Sequence, residues 1–266
     1  MIEAKEMIEV RTRLVKKSNE LIQKGRFNLS VQEQRVVLFL ISKIKPWDED
    51  FKEYSFTVAE FCKVCGLDPN NGGNYKQIKA VIKSLRDKSI WGLTQNGEET
   101  LLSWIEKPYL DKKKGTIRIR FDQDMKPFLL FLLENYTSYE LIWTLRFRSK
   151  YSIRLYEYIK SIHYNERSEY QRELSLSEFR AVTGAEQYTQ WKNLNARVLQ
   201  PALREINAFS DKNIDFETVL NKNKVVGIRF SISTKNPYQK AKLYNYLSKD
   251  LGFNQLIFEG FEDMYK

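Results

Sequence analysis

The feature that most constrains this chain is an internal repeat. Shifting the 266-residue sequence by 118 positions aligns two of its segments without a gap over roughly fifty residues. Agreement that keeps one register across several structural elements indicates a duplicated domain. The aligned identities include Ile41 with Ile159, Ile44 with Ile162, Glu60 with Glu178, Phe61 with Phe179, Val64 with Val182, Gly66 with Gly184, Leu85 with Leu203 and Arg86 with Arg204.

Each copy opens with a helix, which apolar residues at helical spacing predict. A polar connection follows, and then a short helix whose start fits the capping box, in "TVAE" (57–60) and "SLSE" (175–178). Gly66 and Gly184 lie where this helix should end, because glycine readily adopts the left-handed conformation required there. The opening helices carry Val37, Leu38, Ile41 and Ile44 in copy one and Leu155, Tyr156, Ile159 and Ile162 in copy two.

A longer third helix follows in each copy, at about residues 75–88 and 191–207. Short capped helix, glycine-ended turn and longer helix together predict a helix-turn-helix. Pro201 falls inside the second of these helices, and a proline there removes a hydrogen bond. The helix is therefore expected either to bend at Pro201 or to begin with a separate turn.

Two strand-like runs close each copy. The first copy has "TLLSWIEKPYL" and "TIRIRF" around the turn "DKKKG", and the second has "IDFETVL" and "VVGIRFSI" around "NKNK". The sequence therefore predicts an α+β, mainly helical fold of two tandem winged-helix domains related by internal duplication. We expect an N-terminal domain at residues 1–135, a C-terminal domain at 136–234, and a tail or appended helix at 235–266.

The charge of the chain indicates its partner. Forty-four Lys and Arg against 34 Asp and Glu give a net charge of +10, which predicts a polyanionic partner, nucleic acid before a membrane surface. The longest apolar run, "VVLFLI", is far shorter than the roughly 18 residues that would suggest a membrane span. The charged N-terminus lacks the apolar core of a signal peptide, so we expect a cytoplasmic protein.

The third helix of copy two has a polar face suited to reading bases. Arginine pairs bidentately with guanine, and asparagine or glutamine pairs with adenine. The residues predicted to read DNA there recur at i, i+4, i+7 and i+11: Asn193, Arg197, Gln200 and Arg204. The inner stripe predicted to pack on the core consists of Leu194, Val198, Leu199, Ala202, Leu203 and Ile206.

Copy one is lysine-rich on the same helix, which suits it to gripping the phosphate backbone. Its predicted contacts are Lys76, Lys79, Lys83 and Arg86, outside an inner stripe of Ile78, Val81, Ile82 and Leu85. The hairpin tips add phosphate or minor-groove candidates at Lys112, Lys113, Lys114, Lys222 and Lys224. For each residue the alternative is an ordinary solvated charge, but a whole cationic face on this helix favours DNA binding.

Three other features have structural explanations. Cys62 and Cys65 form a Cys-x-x-Cys pair, but His163 is the only histidine, so ligands for a zinc site are short and buried cysteines are expected. The aromatic run "YSIRLYEYIKSIHY" (151–164) has two interpretations, a stacking platform for single-stranded bases or core packing, and its helical spacing favours core packing. His163 is expected near the end of that helix, without a catalytic role. We predict no metal and no cofactor.

An enzymatic function is disfavoured. A rolling-circle relaxase needs a His-x-His metal pair with a nucleophilic tyrosine, and one histidine cannot make that pair. The phosphate-binding pattern Gly-x4-Gly-Lys-[Ser/Thr] is absent, which argues against ATP-driven unwinding by this chain. A transcriptional repressor of the same fold remains an alternative, because repression and initiation both need only specific binding.

The segments "SKYSIRLYEYIKSI" (149–162) and "RVLQPALREINAFSD" (197–211) resemble the iteron-binding, tandem winged-helix family of plasmid replication initiators. The upstream "VKKSNELIQKGRFNLSVQEQRVVLFLISKI" (15–44) is similar to that family's opening, and the resemblance extends over about residues 15–232.

The resemblance implies binding to double-stranded DNA at directly repeated sites of a theta-type plasmid origin. It also implies opening of an adjacent AT-rich duplex, together with host initiator and helicase-loading proteins. Members often exist in a monomer–dimer equilibrium, in which dimers formed through the N-terminal domain repress their own promoter and monomers initiate. The C-terminal winged helix usually supplies the main base reading. Residues 235–266 have no clear counterpart in the duplication.

Overall fold

The first module of the protein is a helix-turn-helix backed by a small antiparallel sheet. The structure is a computed structural model that describes residues 9–93, 99–163 and 169–251. The first module contains β1 (Leu14–Ser18), α1 (Asn19–Lys24), α2 (Val31–Ile41), β2 (Tyr54–Thr57), α3 (Val58–Val64), α4 (Asn74–Asp87), β3 (Ser89–Leu93), β4 (Glu99–Ser103), β5 (Tyr109–Asp111) and β6 (Thr116–Ile119).

A connecting region and a second module follow. The connection consists of a 3₁₀ turn (Gln123–Met125), α5 (Lys126–Leu129), β7 (Tyr136–Glu140) and a second 3₁₀ turn (Leu141–Thr144). The second module contains α6 (Lys150–Ile162), β8 (Tyr170–Ser175), α7 (Leu176–Thr183), α8 (Trp191–Leu194), a π-helical segment (Asn195–Leu199), α9 (Gln200–Phe209), β9 (Lys212–Asn221) and β10 (Lys224–Thr234). After it comes α10 (Pro237–Asp250).

The two modules share one topology. The strand that leads into the short helix pairs antiparallel with the last strand of the hairpin, giving the sheet orders β2-β6-β5 and β8-β10-β9. This arrangement confirms two winged helices. The strands β2 and β8 lie in the connections that the sequence analysis described only as polar. The sequence did not predict them because β2 has only four residues and β8 is largely exposed, so neither shows a long alternation of apolar and polar residues.

The strand-like run "TLLSWIEKPYL" is not one strand. Its first part lies in β4 and pairs with β3, whereas its end lies in β5 and pairs with β6. The turn "DKKKG" after β5 is confirmed, with Gly115 at φ +62°. The turn between β9 and β10 is confirmed too, and Lys222 adopts the left-handed conformation there, at φ +54°.

Both short helices end as predicted, but only one has the full capping box. Ser175 and Glu178 satisfy each other's backbone N–H groups at the start of α7. At the start of α3, Thr57 Oγ1 accepts from the Glu60 N–H at 3.0 Å, while the Glu60 carboxylate pairs with Lys43 Nζ at 2.9 Å. The glycines that follow, Gly66 and Gly184, have φ +65° and +69°, as their left-handed positions require.

The first helices of the two copies form the centre of the core. Residues 33–41 of α2 and 151–159 of α6 are buried, and this confirms that the aromatic run packs inside rather than forming a stacking surface. Tyr164, at the end of that run, lies outside the described residues. His163 caps α6, and its Nδ1 lies 3.2 Å from Lys212 Nζ.

Contacts distant in sequence join the modules. β1 pairs with β7 in the register Leu14↔Glu140, so the first strand of the chain is completed by one that begins at Tyr136. The division of the chain at residue 135 stays a prediction. Residues 237–250 form the capped helix α10, and Leu251 after it packs so closely on Gly66 that a Cβ there would lie 2.4 Å from Leu251 Cδ2. None of the helices in the described ranges is long and apolar enough to cross a membrane.

Candidate nucleic-acid interface

The third helix of the first module, α4, presents a cationic face to solvent. Ile78, Ile82 and Leu85 are buried and Val81 is partly buried, as the apolar period predicts. Lys83 Nζ lies 3.0 Å from Asp87 Oδ2, but both side chains are mostly exposed. Such an exposed ion pair contributes little to the stability of the fold. The four predicted phosphate contacts on this helix are all exposed: Lys76, Lys79, Lys83 and Arg86.

The third helix of the second module runs through Pro201 without a break. Helix α8, the π-helical segment and α9 follow one another directly, and Pro201 lies in the first turn of α9. A proline ring clashes with the carbonyl four residues earlier, here that of Arg197. The wider π turn that contains Arg197 accommodates that ring, which is neither of the two arrangements that the sequence suggested.

The predicted base-reading residues of the second module lie on the outside of this helix. Asn193, Arg197 and Arg204 are exposed, and Gln200 is partly buried. Because Arg197 lies in the π-helical segment, the 3.6-residue period does not give its position relative to Arg204. The inner stripe is confirmed, with the side chains buried: Leu194, Val198, Leu199, Ala202, Leu203 and Ile206.

The two hairpin tips are cationic and exposed. The short β5–β6 turn is shaped by Asp111, whose Oδ1 accepts the N–H groups of Lys113 and Lys114 at 2.9 and 3.1 Å. The β9–β10 hairpin is much longer, with strands of 10 and 11 residues. All five predicted lysines of the tips are exposed: Lys112, Lys113, Lys114, Lys222 and Lys224.

Lys150 brings the two helix-turn-helix units together. It begins α6, and its Nζ donates to Asn28 Oδ1 at 2.6 Å. Burial lowers the pKa of Lys150, and the nearby charge of Lys88, the residue that follows α4, lowers it further, while Tyr188 and Glu186 act in the opposite sense. The Lys150 carbonyl accepts from Gln34 Nε2 in α2 at 3.2 Å, and the Tyr151 hydroxyl accepts from Gln187 Nε2, between α7 and α8, at 2.7 Å, so the start of α6 contacts both units.

Arg154 holds the same junction from inside. Its Nε donates to the Val182 carbonyl at 3.1 Å, at the end of α7, and its Nη2 donates to the Gly25 carbonyl at 3.0 Å, in the first module. The guanidinium also lies 4.1 Å from the centre of the Phe27 ring. Desolvation on burial is the main effect on this group and lowers the pKa of Arg154 to about 10.

Two further buried arginines bridge distant segments in the same way. Arg35 Nη2 donates to the carbonyls of Leu145 and Phe147, both at 3.1 Å. Arg11 donates from Nε to the Val64 carbonyl at 2.8 Å and from Nη2 to that of Leu251 at 3.0 Å. Buried guanidinium–carbonyl bonds therefore join the first module to the second through Arg154, to the connecting region through Arg35, and to Leu251 after α10 through Arg11.

Sequence reasoning missed Lys88, Lys150 and Arg154. Their partners lie far along the chain, 129 residues away for Arg154 and Gly25, so no local period marks them. A charged residue on the apolar face of a core helix was the one available signal, and Arg154 in α6 shows it.

The cysteines are part of the core of the first module. Cys62 and Cys65 are free thiols that are 0% and 3% exposed, and desolvation raises the pKa of Cys65 to about 12. Within residues 9–93, 99–163 and 169–251, no three His, Cys, Asp or Glu side chains lie together in a cluster able to hold a metal ion.

The chain is similar to known replication initiators in sequence and in structure. A curated replication initiation protein from Escherichia coli is 25% identical over 209 residues, which cover 76% of this chain and 64% of that protein. The chain thus spans just under two thirds of the length of the curated relative it matches. The crystal structure of the Pi initiator protein in complex with iteron DNA covers 85% of this chain and 99% of its own, with a TM-score of 0.73 and 19% identity.

Two family models match consecutive parts of the chain. The model described as "Initiator Replication protein, WH1" matches residues 14–160, and "Initiator Rep protein, WH2" matches residues 175–232. Both describe winged-helix domains of DNA-binding initiators and not a catalytic family. The chain therefore belongs to the Initiator Replication protein family, with the WH1 and WH2 domains in that order.

Proposed function

We propose that this protein binds directly repeated double-stranded DNA sites at a plasmid origin, through both third helices, and so promotes origin opening. The observation that carries the proposal is that α4 and the α8–α9 helix both expose polar or cationic faces, on two units that meet at the start of α6. Two such faces suit neighbouring grooves of one duplex. The Pi initiator, which has the same fold, is known in complex with iteron DNA.

Within this proposal the two modules do different work. The second module reads bases through Asn193, Arg197, Gln200 and Arg204, since amide and guanidinium groups distinguish base edges in the major groove. The first module and the hairpin tips hold phosphates, because lysine acts mainly as a point charge. The phosphate set is Lys76, Lys79, Lys83, Arg86, Lys112, Lys113, Lys114, Lys222 and Lys224.

The wider assignments are proposed on the family membership. They are a monomer–dimer equilibrium, autorepression, cooperation with host initiator and helicase-loading proteins, and a cytoplasmic location. The name of the Escherichia coli relative favours initiation over repression alone. A plasmid that lacks this gene and receives it in trans separates the two: replication that depends on the gene supports initiation, and replication without it leaves only repression.

Replacing Arg197 with alanine should weaken binding to the specific site by about 1–3 kcal/mol and relax sequence preference at one position. The reason is that the guanidinium is exposed on the helix proposed to enter the major groove. Binding at fixed salt, measured with a duplex selected by the full chain from a random-sequence pool, tests this. Arg229→Ala, which removes an exposed arginine from β10, is the control, and unchanged binding by the Arg197 variant would contradict the assignment.

Replacing Lys79 with glutamine should instead weaken binding to all sequences about equally. A lysine that neutralises one phosphate contributes roughly one unit to the slope of log K against log salt, so that slope should fall by about one. Titrations of specific and random duplexes at several salt concentrations measure both effects. A loss confined to the specific duplex would show that Lys79 reads a base.

A further inference from the structure

The third helix of the second module holds one extra residue in its middle turn. In the π-helical segment Asn195–Leu199 the hydrogen bonds span five residues instead of four, and the Gln200 N–H donates to the Asn195 carbonyl. One such turn inserts a single residue, which rotates the part of the helix after it by about 100° relative to the part before it. Polar residues on the two sides of this turn therefore do not line up as the regular period would place them.

The buried stripe of the helix agrees with this rotation. Four of its residues recur at every fourth position and are 0% exposed: Leu194, Val198, Ala202 and Ile206. In a regular α-helix every fourth residue advances by about 40°, so the last of the four would lie about 120° from the first. The extra residue of the π turn cancels most of this drift, and all four side chains stay on the core.

The residues opposite the stripe form the centre of the exposed surface of the helix. A residue two positions before a buried one lies about 200° away from it around the axis. Ala196 and Arg204 are exposed in this way, as is Lys192, and Gln200 is partly buried. This set is called the outer line and consists of Lys192, Ala196, Gln200 and Arg204.

Asn193 and Arg197 lie to one side of the outer line. Each directly precedes a residue of the buried stripe, and it therefore lies about 100° from that stripe around the axis. Both side chains are exposed, and the long arginine still reaches a groove that the outer line enters. The middle of the outer line, however, is occupied by the small side chain of Ala196.

The chemistry of this position suits one base in particular. A short side chain lets the helix approach the base edges closely, and an alanine methyl group contacts the C5-methyl of thymine in the major groove. Gln200, one turn after Ala196, carries an amide of the kind that pairs with N6 and N7 of adenine. Both residues therefore favour A·T base pairs. Lys192, one turn before Ala196, adds a positive charge for the phosphates.

We propose that Ala196 determines specificity by contacting the methyl group of a thymine, while Gln200 reads an adenine near it. The inference rests on the proposed function, because it assumes that the α8–α9 helix enters the major groove. The π turn is what gives Ala196 this place, since without the inserted residue Asn193 and Arg197 would line up with Gln200 and Arg204 instead.

The test uses the full chain and a duplex that the chain itself selects from a random-sequence pool. Each thymine of the selected site is replaced in turn by uracil, which lacks only the C5-methyl group, and the Kd is measured at fixed salt. For the wild type we expect at least one position at which uracil raises the Kd by about fourfold, the effect of burying one methyl-sized group. For Ala196→Gly, the duplexes with thymine and uracil at that position should bind equally.

The measured quantity is the ratio of the two Kd values, because glycine also weakens the helix and thus changes both. Ala208→Gly is the matched control, since it makes the same change at an exposed alanine near the end of the same helix. It should keep the fourfold ratio. Arg197→Ala should weaken binding to both duplexes and should keep the ratio too.

Three results would overturn the inference. They are a selected site at which no uracil raises the Kd of the wild type, an Ala196→Gly variant that keeps the fourfold ratio, and loss of the ratio in the Ala208 or Arg197 variant. The first would show that Ala196 is only an exposed helix former. Failure of the proposed function is distinct, since the chain would then select no duplex from the pool at all.

Discussion

Replacing Arg154 with methionine is expected to lower the free energy of unfolding by about 3 kcal/mol. Methionine fills much of the same apolar space, but the carbonyls of Gly25 and Val182 lose their donor inside the protein. Each buried carbonyl left without a partner costs about 1–3 kcal/mol, and the lost contact with Phe27 adds about 1 kcal/mol. Relief of the desolvation of the guanidinium offsets part of this loss. Urea denaturation measures the net effect.

The same substitution should also affect DNA binding, because Arg154 ties α7 of the second module to the first module. A duplex that carries sites for both modules should lose affinity, while a shorter duplex that carries only the site of the second module should be bound as before. Arg229→Met is the matched control, since Arg229 forms only exposed ion pairs worth less than about 1 kcal/mol. Equal stability of the two variants would show that the junction does not depend on Arg154.

Replacing Lys17 with methionine should cost about 3–5 kcal/mol, the largest single effect that we predict. Lys17 Nζ lies 2.6 Å from Glu157 Oε1, and the two side chains are 4% and 1% exposed. The Tyr139 hydroxyl donates to the same carboxylate oxygen. Desolvation lowers the pKa of Lys17, whereas the attraction of Glu157 raises it. Burying the two charges therefore costs free energy, which the ion pair and the hydrogen bond from Tyr139 must offset. Removing the lysine leaves a buried carboxylate with one hydroxyl donor.

A second substitution distinguishes loss of the ion pair from general damage. The double variant Lys17→Met/Glu157→Gln should recover most of the loss, because replacing both members of a buried pair is often close to neutral. Lys24→Met, which breaks only the exposed pair with Glu20, should cost less than about 0.5 kcal/mol in the same urea titrations. A double variant no more stable than the single one would contradict this account.

Local signals in the sequence predicted most of the helix-turn-helix units. The stripe from Leu194 to Ile206, the box of Ser175 and Glu178, and the glycines at 66 and 184 each depend on residues within a few positions of one another. Local spacing is enough for such features, because caps and amphipathic faces are set within one or two turns. Local spacing did not predict the strands β2 and β8, because their ladder partners are the hairpin strands β6 and β10, which lie far along the chain.

The π-helical segment marks where a local rule was incomplete. Pro201 correctly indicated an irregularity, but the choice between a bend and a separate turn depended on how the helix packs. With Val198, Leu199 and Ala202 all fully buried, the helix keeps its apolar stripe on the core and widens one turn instead of leaving the surface. The predicted base-reading residues stay on the outer face, and their role in binding DNA stays a prediction.

By itself, the sequence determined that two copies of one winged-helix unit are present and which faces of their third helices point outward. It could do so because a repeat, a period and a cap are all local patterns. Only the tertiary structure decided how the two units sit together, through the pairing of β1 with β7 and the buried groups Arg154, Arg35 and Lys17. Their partners lie many tens of residues away, and a single charged side chain carries no information about which distant carbonyl or carboxylate it will meet.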